Sequence, residues 1–167
     1  MKKRTILLVA CVAAAVVLTM LLAWRFWPRS FAQILPVEAK EVDKLQANLT
    51  VFSIENGSLK AEDYTLTSLG QTNDYSEIMK MLSATKYRGD FRNVSSKQKD
   101  DGWVSQGSDK SMILSFQCGK DQCIRVMFHS QKDNSVFAEN GSVLRFYHPV
   151  KSDVLDKLAE FVIKNAQ

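Results

Sequence analysis

Residues 112–129 read MILSFQCGKDQCIRVMFH, and how this stretch folds back on itself decides the sheet. Met112, Leu114 and Phe116 alternate with Ile113, Ser115 and Gln117. Beyond the turn, Ile124, Val126 and Phe128 alternate with Arg125, Met127 and His129. Period-two alternation on both sides of a glycine-containing turn predicts a hairpin. Two registers compete. If Cys118 faces Cys123, the pair suits a disulfide, but Phe116 then faces Arg125 and Leu114 faces Met127. A slip of one residue sets Phe116 against Ile124, Leu114 against Val126 and Met112 against Phe128, with the cysteines on opposite faces. Each large apolar side chain buried contributes about 1.5–3 kcal/mol, whereas a disulfide over so short a loop contributes roughly 2 kcal/mol. Packing wins where the two conflict, and a bulge beside Gly119 satisfies both. Cys118 and Cys123 are therefore either a disulfide or two independent thiols.

Neither a redox centre nor a metal knuckle follows from this spacing. Redox pairs use C-x-x-C at a helix N-terminus, where the thiolate is stabilised. A zinc site needs three or four ligands, and His129 with the two cysteines lacks the paired spacings that mark one. His148 stands nineteen residues from His129, each near a predicted strand end. No metal, no cofactor and no catalytic residue is assigned.

Upstream, Leu45, Ala47, Leu49 and Val51 point one way and Phe52 and Ile54 the other, a change of face that predicts a bulge near Val51. Asn56-Gly57 is a two-residue hairpin signal, placing a second strand within 59–67. Asp74-Tyr75-Ser76-Glu77 resembles a capping box, with Asp74 as the cap. Tyr75, Ile78, Met79 and Leu82 fall on one helical face. Residues 90–110 read as a long polar loop. Downstream, Asn140-Gly141 repeats the hairpin signal, and Ser152 caps a last helix whose apolar face is Val154, Leu155, Leu158, Phe161 and Val162. The element order is ββ-α-ββββ-α. It predicts an α+β domain with an antiparallel sheet of about five to six strands and two helices on one face.

The N-terminus sets the topology. Lys2-Lys3-Arg4 precede an uncharged run from Ile6 to Trp24, long enough to cross the ~30 Å hydrocarbon layer as a helix. Trp24 and Trp27 follow where aromatic rings favour the interface. The basic N-terminus outweighs Arg25 and Arg29, so it stays cytoplasmic and the remainder lies outside. Two processing routes compete with a retained anchor: lipidation at Cys11, which follows Leu8-Val9-Ala10, and cleavage after Ser30-Phe31-Ala32. The chain divides into an anchor (1–27), a stalk (28–44) and an extracytoplasmic domain (45–167).

The net charge of +4 belongs to the anchor. Residues 1–29 hold five of the 22 basic and none of the 18 acidic residues, leaving residues 30–167 at −1. That balance gives nucleic acid no electrostatic footprint. Residues 86–103 interleave basic and aromatic side chains, and Tyr87, Arg88, Phe91, Arg92 and Trp103 are the candidate partner contacts of the domain. No G-x-S-x-G elbow, S-x-x-K or phosphate loop is present.

The layout of a stalk entering an early hairpin, an Asp-x-x-Glu helix start, a β-meander and a closing helix after Ser152 resembles a family of small membrane-anchored or lipoprotein modules of Gram-positive gut bacteria, catalogued as domains of unknown function. The resemblance covers about residues 33–167. It implies an α+β ectodomain at the cell surface and carries over no catalytic residue. The sequence thus predicts a single-pass, non-catalytic module of the cell membrane that binds, senses, or contacts an envelope protein or peptide. The alternatives are a small envelope hydrolase built on carboxylates and His129 or His148, and an inhibitor or immunity-type protein.

Overall fold

The hairpin of residues 112–129 forms in the register that gives one apolar face. Phe116 pairs with Ile124, Leu114 with Val126 and Met112 with Phe128, and all six are buried. This is a computed structural model, and it describes residues 2–35, 42–70, 72–89, 109–119, 122–129, 136–140, 143–151 and 153–166. Cys118 pairs with Gln122 and Cys123 with Gln117, so the two thiols stand on opposite faces, Cys118 buried and Cys123 exposed, and no disulfide joins them. The side chains on the core face outweigh the cross-link, as the energies require. Gly119 takes φ +67° where β4 enters the turn, and among the described residues the two strands pair one to one without a bulge.

The elements are α1 (Lys2–Arg25), α2 (Phe31–Ile34), β1 (Lys44–Glu55), β2 (Ser58–Leu69), α3 (Asn73–Ser83), β3 (Tyr87–Gly89), β4 (Lys110–Cys118), β5 (Gln122–His129), β6 (Val136–Asn140), β7 (Val143–Pro149) and α4 (Val154–Asn165). The strands form one antiparallel sheet in the order β2-β1-β4-β5-β6-β7-β3. The α+β architecture is the expected one. The seventh strand, β3, lies within the segment read as a partner loop; it pairs Tyr87 with Pro149 and Gly89 with Tyr147.

Asn56 (φ 52°) and Gly57 (φ 78°) make the predicted tight turn, since both central residues of a type I′ turn need positive φ. Strands β1 and β2 pair one to one from Lys44–Leu69 to Glu55–Ser58, so the predicted bulge near Val51 is absent. The change of face has another cause. Among the described residues β4 pairs with β1 only as far as Val51, with one further bond from Phe52 N to Asp109 O at 2.8 Å, and beyond it the hairpin runs as a two-stranded arm. Ile54 and Leu59, paired across that arm, are 77% and 71% exposed.

Helix α3 starts earlier than predicted. Thr72 is its cap, accepting from the Tyr75 amide, while Asp74 sits in the first turn and Glu77 reaches Lys80 instead. Its buried face is Tyr75, Ile78 and Leu82. Helix α4 buries Val154, Leu155, Leu158, Ala159 and Val162 behind an Asp153 cap; Ser152 lies outside the described residues. Both helices join the cluster that contains Leu45, Leu49, Leu114, Phe116 and Val126, so they cover one face of the sheet.

The described residues of the segment expected to be a stalk, 28–35 and 42–44, pack with the domain. Phe31 is fully buried, with its ring 5.7 Å from Tyr87 and 6.2 Å from Phe116, and Ile34, Leu35 and Val42 enter the same core. The sequence signal was diluted because the four core residues are spread over twelve positions with no strand or long-helix period. Asp43 adds polar clamps: its amide donates to Gln117 O at 2.9 Å, its carbonyl accepts from Gly70 N at 2.8 Å, and its carboxylate accepts from Gly119 N at 2.6 Å.

Candidate interaction surfaces

Alternation sends every second residue of the sheet away from the helices. On β1 and β2 this outer face is polar. Gln46 Nε2 and Thr65 Oγ1 both donate to Asn48 Oδ1 at 3.1 Å, and Thr50 Oγ1 donates to Asp63 Oδ1 at 2.7 Å. Toward the middle it turns apolar. Asn48, Ile113, Met127, Phe137 and Phe146 stand in one row across five strands. Ile113 and Met127 are half-buried, and Phe146 is only 2% exposed although it lies outside the helix-side core. Such a face offers hydrogen bonds beside apolar contact. Neighbouring Tyr147 joins the core from the other side.

A second surface gathers where the chain leaves α1. Arg29 and Tyr87 exchange backbone hydrogen bonds of 2.9 and 2.8 Å. Val150 N donates to Lys86 O at 2.7 Å, and Lys151 N donates to Thr85 Oγ1 at 3.0 Å. These bonds join the end of α3 to the start of α4 around a cavity of about 210 Å³ lined by Glu77, Lys80, Met81, Ala84, Thr85, Lys151, Asp153, Val154 and Lys157. Lys80 pairs with Glu77 at 3.4 Å and Lys157 with Asp153 at 2.7 Å. The hydrogen bond from Lys157 holds the Asp153 carboxyl below its usual range. Among the described residues no carboxylate pairs with Lys151.

Of the predicted partner contacts, Tyr87 is a core residue. It is 0% exposed, its hydroxyl donates to Leu82 O at 2.9 Å, and burial pushes its pKa well above 10.0. Period-two placement in β3 turns Tyr87 inward and leaves Arg88 exposed opposite His148. Phe91, Arg92 and Trp103 lie outside the described residues. His129 pairs with Ser111 on β4 and His148 with Arg88 on β3. Among the described residues no three His, Cys, Asp or Glu side chains form a metal-holding group.

Sequence reasoning missed the lysine cavity because its lining comes from residues 77–85 and 151–157, which only the β3–β7 pairing brings together. Comparison with protein-family models, curated proteins and solved structures finds no match.

Proposed function

We propose that this chain is a single-pass membrane protein whose α+β domain is a non-catalytic binding module held against the bilayer surface. The observation that carries the reading is α1. Residues Arg4–Trp24 form a helix of 21 residues with none of its apolar surface buried against the domain, and a helix apolar all round needs a non-aqueous surround. Twenty-one residues span about 31 Å, the thickness of the hydrocarbon layer. Thr19 supports this, its hydroxyl donating to Ala15 O at 2.8 Å and so satisfying itself within the helix. Lys2, Lys3 and Arg4 favour a cytoplasmic N-terminus and an outer domain.

The outer sheet face is the candidate partner surface, suited to a protein or peptide of the envelope. Its polar ladder at Asn48 and its apolar row at Ile113 and Met127 lie on a rigid seven-stranded base. The test is a photocrosslinking residue placed in the full chain in native membranes, at Thr65 or Arg125 on the outer face and at Glu160 on α4. Discrete adducts from the outer face alone support the reading. Adducts from Glu160 alone, or none from either face, contradict it.

A further inference from the structure

We infer that the cavity lined by Lys80, Lys151 and Lys157 is a binding site for anionic phospholipid headgroups of the leaflet from which α1 emerges. The inference rests on the membrane-anchor reading and adds a ligand and a place.

Three observations converge on it. First, the site is tied to the anchor. Arg29 lies four residues past the end of α1, within about 14 Å along an extended chain. It is hydrogen-bonded to Tyr87, and Thr85, Lys86 and Lys151 are the next residues on the two chains that meet there. A path this short keeps the cavity near the headgroup region, about 5–8 Å deep on each side of a bilayer.

Second, the charge is of the right sign. Lys80, Lys151 and Lys157 line the cavity against Glu77 and Asp153, and exposed Lys86 follows the lining residue Thr85 in the chain. This local excess stands out in a domain that is nearly neutral over residues 30–167. Basic side chains next to a spanning helix are attracted to anionic leaflets by roughly a fivefold factor each.

Third, the shape suits a headgroup with its glycerol. Met81, Ala84 and Val154 add apolar lining beside the three lysines. The Thr85 hydroxyl accepts from Lys151 N at 3.0 Å, which fixes the backbone of Lys151 in the cavity lining.

The test uses the full chain in lipid nanodiscs, following the amide signals of Thr85, Lys86 and Lys151 as phosphatidylglycerol replaces phosphatidylcholine. The inference predicts saturable shifts at these residues and not at Gly119 or Cys123. In Lys151→Gln the half-saturating phosphatidylglycerol fraction rises about fivefold, while the equally charged control Lys164→Gln leaves it unchanged. Equal responses in Lys151→Gln and wild type overturn the site. So does the same shift produced by soluble glycerophosphate on phosphatidylcholine discs, since that marks a general anion site. The anchor reading fails separately, if alkaline carbonate extracts wild-type protein from liposomes of either composition.

Discussion

Arg29 and Tyr87 face each other as an antiparallel bridge, each backbone amide donating to the other's carbonyl at 2.9 and 2.8 Å. The bridge extends the sheet beyond β3 and places the first residues after α1 inside the domain. A domain begun this way has no free stalk between it and the helix.

Phe31 is the first test of that continuity. Its ring is fully buried between Tyr87 and Phe116. Truncating such a phenylalanine costs about 3–5 kcal/mol. Phe31→Ala should therefore lower the thermal midpoint of the full chain in detergent by about 10 °C or more. A change under 2 °C would restore the stalk reading.

The clamp at Asp43 gives a second test. A Cβ at Gly70 would collide with the Val42 carbonyl oxygen, and backbone has nowhere to retreat. Gly70→Ala should cost about 1–3 kcal/mol. Asp43→Ala, which removes the acceptor for Gly119 N, should cost about 1 kcal/mol. Chemical denaturation of the two variants measures both.

Thiol reactivity reads the register of β4 against β5. With Cys11 replaced by alanine, Cys123 should label with maleimide in the native protein, and Cys118 only after unfolding. Reductant should leave the intact mass unchanged. A two-dalton gain on reduction would mean that the strands pair in the other register or that a bulge beside Gly119 brings the thiols together.

Tyr87 makes the domain sensitive to alkali. Burial raises its pKa above the 10.0 of an exposed tyrosine, so the folded state keeps a proton that the unfolded chain releases. Its contribution to stability is complete below pH 10 and falls as pH rises beyond it. Tyr87→Phe should flatten this decline above pH 10, while losing about 1 kcal/mol at neutral pH with the Leu82 hydrogen bond. Denaturant midpoints across pH 7 to 11.5 separate the two effects.

Much of the architecture was legible where local pattern and tertiary demand agree. The alternation around Phe116 and Ile124 offered the observed register as one of two and left the disulfide open, and Asn56-Gly57 marked the β1–β2 turn because few other residue pairs accept positive φ twice. Legibility failed where long-range pairing decides. Tyr87 looked like a loop aromatic until Pro149 paired with it, and Phe31 looked like linker because its partners lie 56 and 85 positions away. The cap passed from Asp74 to Thr72 because both side chains can accept from exposed amides, and local sequence does not rank them.

The most direct test of the account is where the domain sits on the bilayer. In nanodiscs carrying a headgroup-chelated paramagnetic ion, amides near the ion lose intensity. Tyr87 is hydrogen-bonded to Arg29, four residues past α1, whereas Gly119 and Cys123 flank the β4–β5 turn and are tied to Asp43 and Gln117 instead. Strong attenuation at Thr85–Arg88 and Lys151, with little at Gly119 and Cys123, is the predicted result. Equal attenuation at both sets of amides, or the reverse order, would contradict a domain seated on the membrane through Arg29 and Tyr87.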